Sequence, residues 1–240
     1  MKPTIQENTS PTIDSIPPLV NDIGGWMTEA EGRLLYDLAR RAPEGGVIVE
    51  IGSYQGKSTI WLARGSQTGN RLRVYAIDPH QEEPKNFDRF QTHITRAGVE
   101  SMVTPIRKFS AEAARNFQEP VSLIFIDGAH EYDPAKMDFE LWFPKVVENG
   151  IMVFHDTIEK QWGSTRVVRK YIYRSRQFRE IGLVDSITYA RKVNCNSPAD
   201  RIRNRYLLLI NYLCGIGLQL SLPGSVKRGV KQMIQLGQRI

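Results

Sequence analysis

Apolar and polar residues alternate along the chain in a way that predicts strands separated by helices. Short, nearly continuous apolar runs rich in β-branched residues are typical of strands buried on both faces, whereas apolar residues at intervals of three and four indicate amphipathic helices. Seven runs fit the strand pattern: VIVEIG at residues 47–52, RVYAID at 73–78, MVTPIR at 102–107, VSLIFID at 121–127, IMVFHD at 151–156, FREIGLV at 178–184 and SITYARK at 186–192.

Helix signals stand between these runs. Thr28 and Glu31 have the spacing of a capping box, and apolar residues follow at helical intervals, which predicts a helix over residues 28–42. Strands that are almost entirely apolar and alternate with helices indicate an α/β fold, with a doubly wound, mostly parallel seven-stranded sheet covered on both faces. Further helices are predicted through residues 60–62, over 86–97, from Ala111, over 134–147 and over 165–176.

Polar residues mark the ends of four of the predicted strands. Glu50, Asp78 and Asp127 end the first, second and fourth runs, and His155 with Asp156 ends the fifth. In open parallel sheets a ligand binds beyond the carboxyl ends of the strands. We therefore expect these side chains to surround a ligand.

The loop after the first predicted strand reads EIGSYQGKST. A nucleoside-triphosphate loop needs G-x-x-x-x-G-K-[ST], and this loop is one residue short between Gly52 and Gly56. A dinucleotide loop needs a glycine where this chain has Ser53 and Tyr54, because the pyrophosphate lies against the backbone there. Glu50 would also repel a phosphate. The loop indicates a cofactor that carries positive charge and lacks phosphate.

The spacing E-x-G-x-x-x-G at the end of a first strand, followed by an acid at the end of the second, resembles the cofactor loop of the class I methyltransferases. This resemblance implies the Rossmann-like fold of that class and S-adenosyl-L-methionine as the cofactor. The glycine backbone would approach the amino-acid and ribose portions, Glu50 would lie near the cationic groups, and Asp78 would accept the ribose hydroxyls. Ser110 would meet the adenine edge, although a serine there is also a natural helix N-cap. The implied cofactor residues are Glu50, Gly52, Ser53, Gly56, Ser58, Asp78, Ser110 and Asp127.

The fourth and fifth strands end in IDGAHEYD and HDT. With the glycine loop, these motifs resemble the metal-dependent O-methyltransferases of the catechol and caffeoyl-CoA types. They resemble still more closely a bacterial branch, methyltransferase family 24, that contains macrocin O-methyltransferases and cephalosporin-hydroxylase-like proteins. The resemblance covers about residues 24–192. It implies that Asp127, Asp156 and His155 hold Mg²⁺ or another divalent cation, with Thr157 as an alternative third ligand. A cation of this kind lowers the pKa of a bound hydroxyl.

His130 stands three residues after Asp127, where the catechol and caffeoyl types carry a lysine that acts as the base. Imidazole titrates near neutral pH, so the resemblance implies His130 as the catalytic base. Two alternatives stay open for this residue, a metal ligand and a turn histidine without chemistry. After strand five the catechol pattern has Asp-Asn, and this chain has Asp156-Thr157. That departure leaves the third metal ligand open.

Composition adds limits on class and compartment. The 240 residues are 41% hydrophobic with a mean hydropathy of −0.36, which is enough for one large core. Two widely spaced cysteines indicate neither a zinc site nor a disulfide scaffold, and the proline-rich residues 1–22 lack the features of a secretory signal. A cytoplasmic protein is predicted. The segment after strand four lacks the Asn/Asp-Pro-Pro-Tyr/Phe motif of N-methyltransferases, and no nucleic-acid partner is expected.

Charge is distributed unevenly along the chain. Residues 1–159 hold 16 Lys and Arg against 23 Asp and Glu, whereas residues 160–240 hold 16 against 3. Residues 196–240 are expected to form a basic, apolar helical extension, whose apolar run is shorter than the roughly 20 residues of a membrane span. A packing or homo-oligomer role is favoured over peripheral membrane contact, because hydrophobic helices bury against protein more often than against lipid.

Three segments are predicted: a mobile N-terminal helical arm at residues 1–22, a methyltransferase domain at 23–195 and the helical extension at 196–240. The predicted activity is S-adenosylmethionine-dependent transfer of a methyl group to a hydroxyl of a small molecule, assisted by a divalent cation. The acceptor class, a sugar or glycosylated metabolite, follows from the resemblance alone. Two alternatives stay open: an O-methyltransferase of a catechol-like or polyketide hydroxyl, and a non-catalytic cofactor-binding accessory protein tethered by its tail.

Overall fold

The computed structural model describes residues 12–81 and 83–219. Seven strands form a single sheet in this part of the chain. They are β1 (Val47–Ile51), β2 (Val74–Ile77), β3 (Val103–Ile106), β4 (Val121–Ile126), β5 (Val146–Phe154), β6 (Phe178–Val184) and β7 (Ile187–Lys192). Each of the seven predicted strands is therefore present.

The strands lie in the order β3-β2-β1-β4-β5-β7-β6. The first five are parallel to one another, whereas β7 runs antiparallel to both β5 and β6. The chain builds outward from β1 in one direction and then crosses to β4 and builds outward in the other. This reversal between β1 and β4 is the position at which open α/β sheets bind their ligands. The mostly parallel, doubly wound sheet predicted from the sequence is confirmed.

Helices cover both faces of the sheet. They are α1 (Pro17–Val20), α2 (Glu29–Arg40), α3 (Lys57–Gln67), α4 (Asn86–Arg96), α5 (Ser110–Asn116), α6 (Tyr132–Trp142), α7 (Gly163–Val167), which continues into a π-helical turn at Val168–Ile172, and α8 (Pro198–Gln219). Strand β1 shows how the layers form, because Val47, Val49 and Ile51 join the core under α5 to α8 while Ile48 joins the core under α2 to α4.

Strand β5 is longer than the sequence pattern predicts. The predicted run begins at residue 151, but the strand begins at Val146, and the helix expected to continue to residue 147 ends at Trp142. A 3-10 turn at Phe143–Lys145 separates them. The register with β4 shifts within β5, and Asn149 adopts a left-handed backbone with φ of 64°. The strand is therefore bulged, and its outer part does not show the continuous apolar run of a buried strand.

The capping box predicted at the start of α2 is confirmed, whereas the predicted N-terminal arm and C-terminal extension lie only partly within the described residues. The capping box of α2 is present, since the Thr28 amide donates to Glu31 Oε2 and the Glu31 amide to Thr28 Oγ1. The structure does not test the predicted domain limits, and residues 1–11 of the predicted arm lie outside the described residues. Ile16 and Val20, within the arm, are buried against the core under α2. Residues 220–240 of the predicted extension also lie outside the described part.

Candidate functional site

The sheet register brings four strand ends to one level. Backbone hydrogen bonds run from the Gly52 amide to the Ile77 carbonyl and from the Asp127 amide to the Ile51 carbonyl, each 2.9 Å long. The amide of His155 likewise donates to the carbonyl of Ile126, at 3.1 Å. The residues that follow β1, β2, β4 and β5 are therefore neighbours, as the sequence predicted, and they lie beside the switch point of the sheet.

The glycine loop needs glycine at two positions. Gly52 and Gly56 have φ of 86° and 90°, in the left-handed region that favours glycine. A Cβ on Gly52 would lie 2.1 Å from the Asp127 carbonyl oxygen, so any side chain there would push the first and fourth strand ends apart. Helix α3 begins directly after the loop, at Lys57. The lysine that suggests a phosphate loop in the sequence reaches the Gly25 carbonyl instead, with its Nζ 3.4 Å away.

Asp78, directly after β2, stabilises this loop through hydrogen bonds from the backbone. Its Oδ2 accepts a hydrogen bond from the Tyr54 amide at 2.8 Å, and its Oδ1 accepts one from the His80 amide at 2.6 Å. Tyr54 and His80 both have positive φ, of 43° and 50°, which turns these amides toward the carboxylate. The sequence predicts Asp78 as a cofactor contact, and the structure also shows it holding the loop in shape.

Glu50 lies inside β1 with its side chain fully buried. Thr59 donates to Glu50 Oε2, while Oε1 has no hydrogen-bond partner among the described residues. Burial raises the pKa of Glu50 to about 8, and the hydroxyls of Ser58 and Thr59 only partly offset this effect. The Ser53 hydroxyl is also buried and lacks a partner within the described chain. The floor of the loop therefore offers unsatisfied acceptor groups.

A second cluster follows β4 and β5. Asp127, His155 and Asp156 each turn one donor atom toward the others, and these atoms all lie within 4.8 Å of one another. His155 Nδ1 is 3.1 Å from Asp127 Oδ1 and 3.5 Å from Asp156 Oδ2. Loss of contact with water raises the pKa of Asp127, and the nearby imidazole opposes that shift. The three predicted metal ligands are thus brought together.

Glu31 contacts the imidazole of this cluster. Its side chain is almost fully buried, and its Oε2 lies 3.5 Å from His155 Nε2, on the opposite side of the imidazole from Asp127. Glu31 Oε1 accepts hydrogen bonds from the amide and the hydroxyl of Ser186, at 2.9 Å and 2.7 Å. Burial alone would lower the pKa of His155, but the three carboxylates around it raise that pKa to about 12. Burial likewise opposes ionisation of Glu31, yet His155 and Ser186 lower its pKa to about 2.

Asp156 is held in an unusual backbone conformation. Its φ is 52°, which costs energy for a residue other than glycine, and its carbonyl accepts hydrogen bonds from the hydroxyls of Ser164 and Thr165. Thr157, the alternative third ligand, points elsewhere: its Oγ1 donates to the Ser186 carbonyl at 2.7 Å. The structure therefore favours His155 over Thr157 as the third member of the cluster.

His130 lies at the open side of the cluster. Its Nδ1 is 3.5 Å from Asp156 Oδ2, and its side chain is 45% exposed, so an acceptor could reach it from solvent. The Trp162 ring packs against the imidazole with centroids 4.7 Å apart. The Gly163 amide donates to the His130 carbonyl at 2.6 Å, which joins the loop after β4 to the start of α7.

Ser110 has a different environment from the other predicted residues. It is the first residue of α5, whose N-cap is Phe109, so the alternative expectation of a serine N-cap is wrong. The Trp142 indole donates to Ser110 Oγ at 2.9 Å. The hydroxyl also lowers the pKa of Asp138, although burial dominates and raises that pKa to about 6. Its hydrogen bonding in the structure is therefore with α6.

The residues of the site fit the two groups that the resemblance implies, S-adenosylmethionine and a divalent cation. The loop has backbone without side chains at Gly52 and unsatisfied buried oxygens at Glu50 and Ser53, which would suit a ligand bearing an ammonium group. Two carboxylates and one imidazole are a donor set that divalent cations accept. Sequence reasoning missed Glu31 and Trp162 as site residues. The capping box identified Glu31 as a helix-start residue only, and no pattern linked it to a histidine far along the chain.

Comparisons with known proteins agree with this geometry. The family model of a methyltransferase domain matches residues 49–157. An uncharacterised protein of Acanthamoeba polyphaga mimivirus is 30% identical over 125 residues, which cover 48% of this chain and 52% of that protein. The catechol O-methyltransferase of Mycobacterium tuberculosis is 28% identical over 117 residues, 48% of this chain and 50% of the relative. The chain thus spans about half the length of these two relatives.

Among solved structures, the O-methyltransferase from Bacillus cereus in complex with SAH is similar in fold, with a TM-score of 0.57 at 20% identity over 75% of this chain and 89% of that one. Within residues 12–81 and 83–219, none of the helices combines the length and apolar character that crossing a membrane requires. The matched motifs lie on the strand ends described above. Residues 49–157 therefore match a methyltransferase domain, and the chain shares its fold with solved methyltransferases.

Proposed function

We propose that this protein transfers the methyl group of S-adenosylmethionine to a hydroxyl oxygen of a small molecule, with help from a divalent cation. One observation carries the proposal: the glycine loop and the cluster of Asp127, His155 and Asp156 meet at one edge of the sheet, with His130 at the open side. The names of the similar proteins, a catechol O-methyltransferase and an O-methyltransferase bound to SAH, support the same chemistry.

The cofactor side of the site is assigned to the glycine loop and its neighbours. The backbone at Gly52 and Gly56 leaves room for the cofactor, Ser53 lies in the loop, and Ser58 follows in the first turn of α3 beside Glu50. Glu50 Oε1 would accept a hydrogen bond from the cofactor's ammonium group, which would also restore the ionised carboxylate that burial disfavours. Asp78 would accept from the ribose hydroxyls with the lone pairs that the two amides leave free.

The acceptor side is assigned to the second cluster. Asp127, His155 and Asp156 would hold the cation, and Glu31 would orient the imidazole by accepting from its Nε2 while Nδ1 faces the two aspartates. When bound, S-adenosylmethionine supplies the methyl group, and the cation lowers the pKa of the acceptor hydroxyl.

His130 is assigned as the general base. It would take the hydroxyl proton, and its position suits that role because it is half-exposed, packed against the tilted Trp162 ring and close to Asp156 Oδ2.

The acceptor is proposed to be a sugar or a glycosylated metabolite. This part rests on the resemblance of IDGAHEYD and HDT to the macrocin-type branch. The 28% identity to a catechol O-methyltransferase favours a second candidate, a catechol-like hydroxyl. Parallel reactions on glycosylated macrolides, free sugars and catechols, read by mass spectrometry for the gain of one methyl group, distinguish the two.

The proposal is tested first by binding. S-adenosylhomocysteine should raise the melting temperature of the protein, and Asp78→Ala should abolish the shift, whereas Asp88→Ala on the exposed part of α4 should retain it. Turnover of the accepted substrate should need Mg²⁺ and should disappear in Asp127→Asn. No melting shift at saturating ligand would refute cofactor binding. Full turnover in excess chelator would refute the role of the cation.

A further inference from the structure

Helix α8 is fixed on the domain by buried amides. Asn204 Nδ2 donates to the Phe178 carbonyl at 3.0 Å, and Asn211 Nδ2 donates to the Thr157 carbonyl at 2.8 Å. Arg169 in turn donates to Asn211 Oδ1 at 2.7 Å. Buried polar groups of this kind need their partners, so they set the rotation of the helix about its axis. One face of α8 is thereby committed to the domain, and the opposite face is presented outward.

The outward face is apolar. Ile202, Tyr206, Leu209, Leu213 and Ile216 are between 44% and 72% exposed, and their positions repeat at intervals of four, three, four and three residues. We call these five residues the outer stripe. A 4-3-4-3 repeat of apolar residues is the pattern of a helix that packs along another helix. The inward face uses other positions, so the stripe is not part of the domain core.

The outer stripe also lacks the charges that a solvated helix carries. Between Tyr206 and Gln219, α8 has no Asp, Glu, Lys or Arg, and its basic residues Arg201, Arg203 and Arg205 all precede that stretch. Helices that face water on one side normally place charged residues there. Scattered exposed hydrophobic residues are ordinary, but a contiguous apolar face over four turns marks an interaction site.

We propose that the outer stripe is a homodimer interface, in which α8 of one copy packs antiparallel against α8 of a second copy. A two-fold interface uses the same patch on both subunits, and a uniform apolar stripe is complementary to itself. An antiparallel arrangement also keeps the two groups of arginines at opposite ends of the interface. A parallel arrangement would bring six guanidinium groups together at one end, where no acidic residue of the helix except Asp200 could offset them.

The size of the stripe agrees with this occupant. From Ile202 to Ile216 the stripe is about 21 Å long at the rise of an α-helix. With neighbouring Tyr212, which is 38% exposed, its exposed fractions amount to on the order of 600 Å² of surface per copy, against about 800 Å² per partner in a standard interface. The flanking polar residues would supply the rim.

A membrane surface is a weaker match to the same face. Helices that lie in a bilayer interface carry basic residues along their polar face and sink a broad apolar face into the lipid. In α8 the face opposite the outer stripe is buried against the domain, and the basic residues of the described helix stand only at its start. The exposed surface is therefore a narrow seam, which suits a second helix.

The proposed interface is linked to the site through one loop. Thr157 and Ile158 directly follow Asp156. The Asn211 side chain donates a hydrogen bond to the Thr157 carbonyl, and an Arg169 guanidinium nitrogen lies 3.4 Å from the Ile158 carbonyl. A partner seated on α8 would therefore steady the segment that carries Asp156. The interface itself does not depend on the proposed activity, because it is argued from α8 alone.

The test is the mass of the full chain in solution, by light scattering after gel filtration over a range of concentrations. The wild-type protein should have about twice the monomer mass of 27.4 kDa. Leu209→Glu with Leu213→Glu should weaken the dimer at least tenfold, since truncating or charging central interface residues costs about 1.4 kcal/mol or more. Met137→Glu is the matched control, because Met137 is an exposed apolar residue, 43% exposed, on α6. It should leave the dimer intact.

A cross-link reports the orientation. In a Cys195→Ser background, which leaves only the buried Cys214, a short bis-maleimide should join Ile202→Cys to Ile216→Cys when the two proteins are mixed. Ile202→Cys alone should not cross-link in the antiparallel pair.

Three results would overturn the proposal. The first is a wild-type monomer at all concentrations, and the second is a double variant that stays dimeric. The third is a monomer that sediments with anionic phosphatidylserine vesicles, when the double variant does not; this would assign the stripe to membrane. Circular dichroism and melting of the double variant show that its monomer is folded.

Discussion

Replacing Glu31 by glutamine should strongly destabilise the metal-free protein, because this carboxylate is buried among three donors and the His155 imidazole, which stays protonated when no cation occupies its Nδ1. It accepts hydrogen bonds from the Thr28 amide and from the amide and hydroxyl of Ser186, with His155 Nε2 3.5 Å away. Glutamine has the same shape but only one acceptor oxygen. Its amide nitrogen would face a donor, and the imidazolium would lose a buried counter-charge.

The magnitude follows from the shift in acidity. The pKa of Glu31 falls from 4.5 to about 2 in the folded protein. A shift of about 2.5 units corresponds to roughly 3 kcal/mol of free energy of unfolding. Because the folded pKa is the lower one, this contribution is complete above about pH 4.5 and is lost as the pH falls toward about 2. Breaking a buried ion pair costs a similar amount, about 3–5 kcal/mol. We therefore expect Glu31→Gln to cost about 3 kcal/mol at pH 7.

Urea unfolding at pH 7, followed by circular dichroism, measures this cost. Glu29→Gln is the matched control, since Glu29 lies in the same first turn of α2 but is 57% exposed and, among the described residues, forms its ion pair with Arg33. Its substitution should change the free energy of unfolding by less than about 0.5 kcal/mol. Equal stabilities for the two variants, or a Glu31→Gln protein as stable as the wild type, would refute the reasoning that Glu31 anchors His155.

Three further predictions concern other parts of the site. Gly52→Ala should lower stability by about 1–3 kcal/mol and remove the melting shift with S-adenosylhomocysteine, because its Cβ would collide with the Asp127 carbonyl; a full shift would contradict this. Asp138→Asn should raise the free energy of unfolding at pH 7 by about 3 kcal/mol but leave it nearly unchanged at pH 4. Burial raises the pKa of Asp138 to about 6, so the wild type loses stability as the pH rises through that value; stability curves of equal shape for both proteins would count against it. Trp162→Ala should lower turnover through the unsupported His130 ring and leave binding of S-adenosylhomocysteine intact, as isothermal titration would show; unchanged turnover would remove Trp162 from the site.

Much of the fold could be predicted because its signals are local. The apolar runs of β1, β4 and β5 are long enough to indicate strands buried on both faces, and the capping box marks the start of α2. The sequence pattern did not predict the irregular first part of β5. Strand β5 begins earlier than predicted because a bulge at Asn149 adds a polar stretch whose sequence is typical of a turn. This stretch belongs to the strand because the register with β4 shifts there, which the residues themselves do not indicate.

The strand-end residues could be predicted for the same reason. Their convergence followed because the carboxyl ends of parallel strands lie at the same edge of the sheet. Asp127, His155 and Asp156 do meet, beside the loop that Gly52 and Gly56 shape. The contact of Glu31 with Ser186 joins residues 155 positions apart, and no periodicity or motif encodes such a pair. It arises because the first turn of α2 lies beside the residues that follow β5 and β6, where Glu31 meets His155 and Ser186.

The sequence by itself determined the order of strands and helices, the shape of the glycine loop and the residues at the strand ends, because each depends on neighbours along the chain. It could not determine which side of α8 is buried, since apolar residues such as Leu207 and Leu209 occur all around that helix. Only the tertiary structure decided this, by pairing Asn204 and Asn211 with carbonyls of the domain. Those two hydrogen bonds set the rotation of the helix, and with it the apolar stripe that remains exposed.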